Sequence, residues 1–392
     1  MKNDVSSRCS KLVQDIPRVG SRAVDEKIHD LCRQGKEVLP LHPWPEHPVA
    51  SHIIEAAREA VSEVPRCPES RGLLELREGI AQSLHTEMGI EVNPETEVLI
   101  TYGCMQGVFL SIICLVSEGD EVLVPTPVFF ADGFVALARG RYKGVAMSEA
   151  DEYRLDLEKL EKAVTPKTKA MYLVSPQNPT GFVPNDEDLQ GLADLIERHN
   201  IVAVCDESYY KMVYDGRRHR SLISLPQARE HTVVVRSFTK SYIMPDWRVG
   251  YIVAPAAMIQ QFLKVFEWMH LYGSYVPQKA AAAAISGPQE WVEEAALKMQ
   301  VNRDSLYQGI SQIDGLSTVK PKGSPFFFMN ISALGVDEEE FHRKLLVDYG
   351  IPTSTGKTLK QTDHLRFQFG ATPETLKKLL ERLIKAVSEV RK

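Results

Sequence analysis

Thr232-Val-Val-Val-Arg-Ser237-Phe-Thr-Lys240-Ser-Tyr-Ile-Met-Pro245-Asp-Trp-Arg248-Val-Gly250 begins apolar at nearly every position and passes directly into a polar, turn-rich segment. Such a run reads as a strand covered on both faces, the pattern of a parallel sheet. The lysine just beyond its end is flanked by hydroxyls and followed eight residues on by an arginine. That arrangement suits an imine-forming amine beside a phosphate site. Taken alone, a loop lysine is more often a solvated surface residue.

Outward from this stretch the same grammar repeats. Between about Asn93 and Pro255, short apolar runs (EVLITYG, DEVLVP, AMYLVSP, IVAVCDES) alternate with helix-period segments (MQGVFLSIICLV, EDLQGLADLIERHN). This is the signature of βα units building a mostly parallel sheet with helices on both faces, an α/β lobe. Beyond Met258 a helical stretch (QQFLKVFEWMH, QKAAAAAI, EWVEEAALKMQVNRDSLYQGI) leads into GSPFFFMNI, FHRKLLVDYG, HLRFQFG and a last helix, ETLKKLLERLIKAV. These elements predict a smaller α+β lobe that closes the chain. The first fifty residues hold one helix-like segment, AVDEKIHDLCRQG, and a proline- and histidine-rich loop, LPLHPWPEHP.

Bulk properties narrow the function. At 392 residues the chain exceeds what one core usually fills. A net charge of −6 and the lack of any Lys/Arg-rich run argue against a nucleic-acid partner. Six cysteines (Cys9, Cys32, Cys67, Cys104, Cys114, Cys205) fall without CxxC pairs or Cys/His clusters, which indicates neither zinc nor a disulfide framework and favours a reducing compartment. No signal peptide and no membrane-spanning run are visible, so the expected location is cytoplasmic, without a membrane partner.

Several strand-end residues carry chemistry. Asp206, in VCDES, stands at a strand end before a helical turn, where an aspartate commonly caps a helix. Asn178, in SPQNPTG, sits in good turn chemistry, and Asn178–Pro179 is a candidate cis bond. Gly103, followed by Cys104 and Met105, stands where a strand gives way to a helix, whose first backbone N–H groups bind phosphate. Arg366 is a planar cation on an otherwise apolar strand and suits bidentate carboxylate binding.

With Ser237, Lys240, Pro245, Arg248 and Gly250 matching SxxKxxxxPxxRxG, and the other motifs in order, the chain resembles the class I/II aminotransferases of fold type I, over nearly its whole length. The resemblance implies pyridoxal 5′-phosphate as cofactor, held as a Schiff base on Lys240. It implies that Asp206 keeps the pyridine nitrogen protonated, that Tyr209 and Asn178 donate to the phenolic oxygen, and that Phe129, with Phe130 as competitor, stacks on the ring. Gly103, Cys104 and Met105 contribute backbone to a phosphate cup completed by Ser237 and Arg248. Arg366 and Asn178 hold the substrate α-carboxylate.

The implied reaction moves the amino group of an α-amino acid to a 2-oxo acid, in a homodimer. A lyase, synthase or oxidase on the same scaffold is the alternative. The division implied is an N-terminal segment, 1–50, packing with the small lobe; a large cofactor-binding domain, 51–284; and a small C-terminal domain, 285–392. A ligand-sensing regulator with a DNA-binding head is disfavoured, because only about forty residues precede the usual fold. The chain departs from the family at Cys67, where a tyrosine is usual, at Asp246, and in the loop Leu41-His42-Pro43-Trp44-Pro45-Glu46-His47-Pro48. His42 and Trp44 are expected to line the substrate side-chain site. Phe326, Phe327, Phe328, Tyr272 and Tyr275 hint at apolar walls, and no second arginine is assigned to a distal carboxylate.

Overall fold

The computed structural model describes residues 8–16, 18–45, 47–63 and 67–391; Glu46, within the distinctive loop, lies outside them. Seven strands form the large sheet: β1 (Val98–Thr101), β2 (Glu121–Thr126), β3 (Arg141–Ala146), β4 (Thr168–Val174), β5 (Val202–Asp206), β6 (Thr232–Ser237) and β7 (Gly250–Val253). Their order is β1-β7-β6-β5-β4-β2-β3. All neighbours are parallel except β7, which runs against both β1 and β6. The expected α/β architecture is therefore present, with one reversed strand that the apolar runs did not disclose.

Helices cover both faces because the central strands are apolar on both. Gly103–Leu115 and Ala256–His270 enclose Val108, Ile112, Ile259, Phe262 and Phe266 against Val235 and Ile252 on one side. On the other, Asp186–Arg198 packs Leu189, Leu192 and Ile196 onto Met171, Ala203 and Cys205. Tyr275–Ser286 buries its alanines against Ser51–Ser62 and Leu74–Met88. The first two helical segments beyond Met258 thus complete the large layer, and the long Glu290–Ile310 helix crosses to the small one.

The small sheet contains β8 (Ser317–Thr318), β9 (Phe326–Asn330), β10 (Ser354–Thr355) and β11 (His364–Gln368), all antiparallel, in the order β10-β11-β9-β8. Side chains alternate across it. Leu365, Phe367, Phe327 and Met329 enter a core shared with the Glu338–Tyr349 and Pro373–Val390 helices. The other face, with His364, Arg366, Phe328 and Asn330, turns toward the large sheet. Leu39 and Leu41 join the small-sheet core, and a bridge between His42 and Gly370 fixes the start of the loop there. A Cβ at Gly370 would lie 1.9 Å from the Trp44 carbonyl, so only glycine admits the loop at this distance.

Candidate active site

Chain direction puts the chemistry-bearing residues at one edge. Asp206 ends β5, Ser237 ends β6 and Lys240 lies three residues further, on the short Phe238–Ser241 helix. Gly103 follows β1, Phe129 follows β2, and Asn178 follows β4 after a turn containing a cis Asn178–Pro179 bond. Because β7 is reversed, its leading residue Arg248 arrives at the same edge. Ligands in open α/β sheets bind outside the carboxyl ends of the strands, where these groups gather.

Close backbone packing shapes the cradle. Gly250 pairs with Thr101 on one side and Ser237 on the other, and a Cβ on it would meet Gly103 carbon and Arg236 oxygen, each at 2.7 Å. Gly103 has φ +74°, and a Cβ there would approach Arg248 Nη2 to 2.6 Å. Arg248 is itself held at φ +55°, a conformation that costs a residue with a side chain and persists only when its surroundings determine it. Here its Nη1 donates to Pro245 O at 3.1 Å and Thr239 Oγ1 at 3.3 Å. The Ser237 hydroxyl accepts from Thr239 N–H at 3.1 Å. A hydroxyl, a guanidinium and the first N–H groups of the Gly103–Leu115 helix thus converge. Met105 points partly outward, leaving its backbone to that end.

Asp206 lies in the layer above. Burial raises its pKa, opposed by hydrogen bonds from Ser208, Cys104 and Tyr172. Tyr172 Oη donates to Oδ2 at 3.2 Å and Ser208 N–H to Oδ1 at 3.0 Å, so each carboxylate oxygen has a donor. Burial pushes the Cys104 thiol well up, and Asp206 adds to this. Lys240 is displaced to about 7, first by removal from water and then by the charges of Arg248 and Arg366. Its Nζ stands 4.5 Å from the centre of the Trp44 ring. Trp44 stacks on His42, with centroids 5.6 Å apart.

Arg366 closes the pocket from the small sheet at 4% exposure. Its Nη1 donates to Asn178 Oδ1 at 2.9 Å and its Nη2 to Ser354 Oγ at 3.1 Å. The guanidinium carbon lies 4.2 Å from the Phe129 centroid and 4.6 Å from that of Phe326. Its Nε is buried without a hydrogen-bond partner, and burial lowers its pKa to about 10. Tyr209 packs edge-on against Phe326, and burial raises its hydroxyl, which a hydrogen bond with Asn178 moderates. Phe129 faces this guanidinium; Phe130, at φ +71°, lies behind it with its ring centroid 3.7 Å from that of Phe129.

Lys240, Asp206, Tyr209, Asn178, Gly103, Phe129, Ser237 and Arg248 gather at this edge, with Arg366 and Phe326 facing them from the small sheet and Trp44 from the loop. Phe327, by contrast, is packed in the small-sheet core, and Tyr275 pairs with Glu63 away from the site. Tyr172, Ser208, Thr239 and Ser354 were missed. Tyr172 had a faint signal, a lone hydroxyl in the apolar run AMYLVSP beside the strand that ends in Asp206.

A family model described as "Aminotransferase class I and II" matches residues 43–383. The aspartate aminotransferase of Pyrococcus abyssi is 32% identical over 374 residues, 93% of this chain and 95% of that protein. Aromatic-amino-acid aminotransferase 2 of Thermococcus litoralis is 31% identical over the same shares. The structure of Thermus thermophilus aspartate aminotransferase with maleate superposes with a TM-score of 0.91 at 31% identity, covering 96% of this chain and 99% of that one. The chain belongs to the class I and II aminotransferases. It is a fold type I, pyridoxal-phosphate-dependent enzyme that moves an amino group between an amino acid and a 2-oxo acid. The pocket fits that cofactor: a glycine cradle that a Cβ would fill, a buried carboxylate, and a lysine depressed toward neutrality.

The depressed amine gives a direct test. In cofactor-free protein, the rate at which Lys240 reacts with an amine reagent should rise with pH and level off about a midpoint near 7. Peptide mapping of the labelled lysine reads it. A midpoint near 10.5, the ordinary lysine value, would remove the argument from burial.

Proposed function

We propose that Lys240 is the amine to which the cofactor is bound and that Arg366 receives the α-carboxylate of both the amino acid and the oxo acid. The observation that carries this is Arg366 itself. It is a buried guanidinium between two aromatic rings, with an unpartnered Nε and no carboxylate beside it among the described residues. Burying a cation without an anion is costly, and a substrate carboxylate supplies the missing charge. Asn178 serves two partners with one amide: Oδ1 accepts from Arg366, which leaves its NH2 to donate toward the cofactor's phenolic oxygen beside the Tyr209 hydroxyl. Phe129 restrains the ring face. Gly103, Cys104 and Met105 backbone, Ser237 and Arg248 hold the phosphate.

When bound, pyridoxal phosphate supplies an electron sink for the charge left at the substrate Cα. Asp206 maintains that sink by pairing with the pyridine nitrogen, which provides the positive neighbour that its buried carboxylate otherwise lacks. Lys240 would hold the cofactor as an imine and, as a free amine, would serve as the base that takes the proton from the substrate Cα and the acid that returns it. A pKa near 7 suits both directions of that transfer.

Trp44 and His42 are proposed to line the substrate side-chain site, with Phe326 as a further wall. Support comes from the Trp44 ring's position against Lys240 and from the apolar surroundings of Arg366. We also propose a homodimer. Trp268 is 93% exposed and adjoins exposed Met269, Leu271 and Tyr272, beside Tyr102 at the site's edge; a patch of this kind is ordinarily covered. A cytoplasmic location accords with six unbridged thiols. Division at 1–50, 51–284 and 285–392 rests on the burial of Leu39 and Leu41 in the small-sheet core.

Adding an amino acid without any oxo acid should convert the enzyme's visible absorbance to the pyridoxamine form. The Lys240→Ala variant should lose turnover by about a millionfold, the scale of losing a residue central to covalent and proton-transfer chemistry. Wild-type protein that releases ammonia instead would refute transfer. Exchanging Trp44 for Ala should widen the range of amino donors; unchanged preference sinks its assignment. In sedimentation the holoenzyme should run as a dimer and Trp268→Glu as a monomer, and cell fractionation should recover the protein with soluble cytosolic enzymes.

A further inference from the structure

Two residues before Arg366 on β11, His364 is buried where the two sheets meet. Its Nδ1 lies 2.7 Å from the Thr362 carbonyl, which fixes that nitrogen as the donor and turns Nε2 toward the large sheet. There Nε2 lies 3.2 Å from Tyr153 Oη and 3.3 Å from Glu149 Oε2. Glu149 Oε2 also accepts from Asn330 Nδ2 at 2.6 Å. Asn330 is the direct cross-strand neighbour of His364 on β9. Two residues of the small sheet thus grip two residues of the turn that follows β3.

The imidazole stacks on Phe328, 4.5 Å between centroids, and Phe328 pairs across the strands with Arg366. Tyr153 packs on the other part of the same phenyl ring. In either protonation state the contact survives. A neutral imidazole accepts from the Tyr153 hydroxyl, and a protonated one donates to Glu149. Next along the same strand face stands Arg366, with its partners Asn178 and Phe129, both carried by the large sheet.

We propose that the His364–Glu149–Tyr153–Asn330 cluster is a positioning device that anchors β11 to the large sheet and thereby sets the height and tilt of the Arg366 guanidinium over the pocket. The proposal rests on the reading of Arg366 as the carboxylate receptor. A bidentate fork tolerates little misalignment, and a strand five residues long is too short to hold its own angle against a facing sheet. Among the described residues Arg366 is fixed by its bonds to Asn178 and Ser354 and by its two aromatic neighbours, so the strand's register over the pocket bears on where the fork points. His364 touches no reacting atom; its influence passes through Arg366.

The experiment compares KM, kcat and inhibition by propanoate, a carboxylate without an amino group, in the holoenzyme and its variants. His364→Leu should raise KM and the propanoate inhibition constant about tenfold while kcat stays within about twofold, the split expected when binding geometry alone is loosened. His364→Gln, which keeps a donor and an acceptor near the Nε2 position, should recover most of the affinity. In an Arg366→Lys background, His364→Leu should have no further effect, because both act through one group. Tyr153→Phe should shift the same quantities in the same direction, and it carries the test if His364→Leu does not fold.

Wild-type affinity in His364→Leu and Tyr153→Phe, or an undiminished effect in the Arg366→Lys background, overturns the anchor while leaving the carboxylate reading intact. Unchanged propanoate inhibition in Arg366→Lys alone overturns the carboxylate reading and the anchor with it.

Discussion

Lys240 and Arg366 occupy one pocket from which water is largely removed, and that burial, reinforced by the charges of Arg248 and Arg366, depresses the tendency of Lys240 to carry charge. Holding them there without an acidic partner runs against the general rule that buried charges are paired. The fold sustains the arrangement by bringing the two from separate sheets and by giving Arg366 aromatic faces and amide and hydroxyl acceptors in place of an anion. The unmet demand for negative charge suits the pocket to anionic groups such as a phosphate and a carboxylate. Elsewhere the same chain pairs buried ions: Arg236 and Glu207, the sequence neighbours of Ser237 and Asp206, are both inaccessible and meet at 2.8 Å.

Reversal of β7 is the second structural necessity. A parallel strand in that place would deliver Arg248 to the far edge of the sheet. Antiparallel, it sets Gly250 between β1 and β6, and the absence of a side chain there lets Gly103 and Arg248 close around one small volume. Local backbone strain at Arg248 is the accompaniment of that closure.

How much of this was legible in the sequence depends on how local each feature is. Lys240, Ser237 and Arg248 lie within twelve residues of one another, and Asp206, Asn178 and Gly103 each end a strand whose pattern was readable, so residue type and position coincided. Arg366 was visible as a charge on an apolar strand. By contrast Tyr172 reaches Asp206 only through the β4–β5 register, and His364 meets Glu149 across 215 positions of chain. Side-chain period and turn chemistry carry no information about such pairings. The orientation of β7 was hidden for a related reason: four apolar residues look the same in either direction. Trp44 stood between these cases, since its oddity could be seen but not the ring it would lie against.

The bridge between His42 and Gly370, with Trp44 carbonyl pressed against Gly370, makes the N-terminal loop mechanically part of the small sheet. Trp44 and Arg366 therefore travel together, while Lys240 and Asp206 belong to the other body. On the proposed reading, the substrate side chain and carboxylate meet Trp44 and Arg366 of the first body, and its Cα faces Lys240 of the second. On that reading the grip on the substrate and the groups that move its proton have different supports, so a change confined to the small sheet or its loop alters the hold without altering the proton-transfer groups.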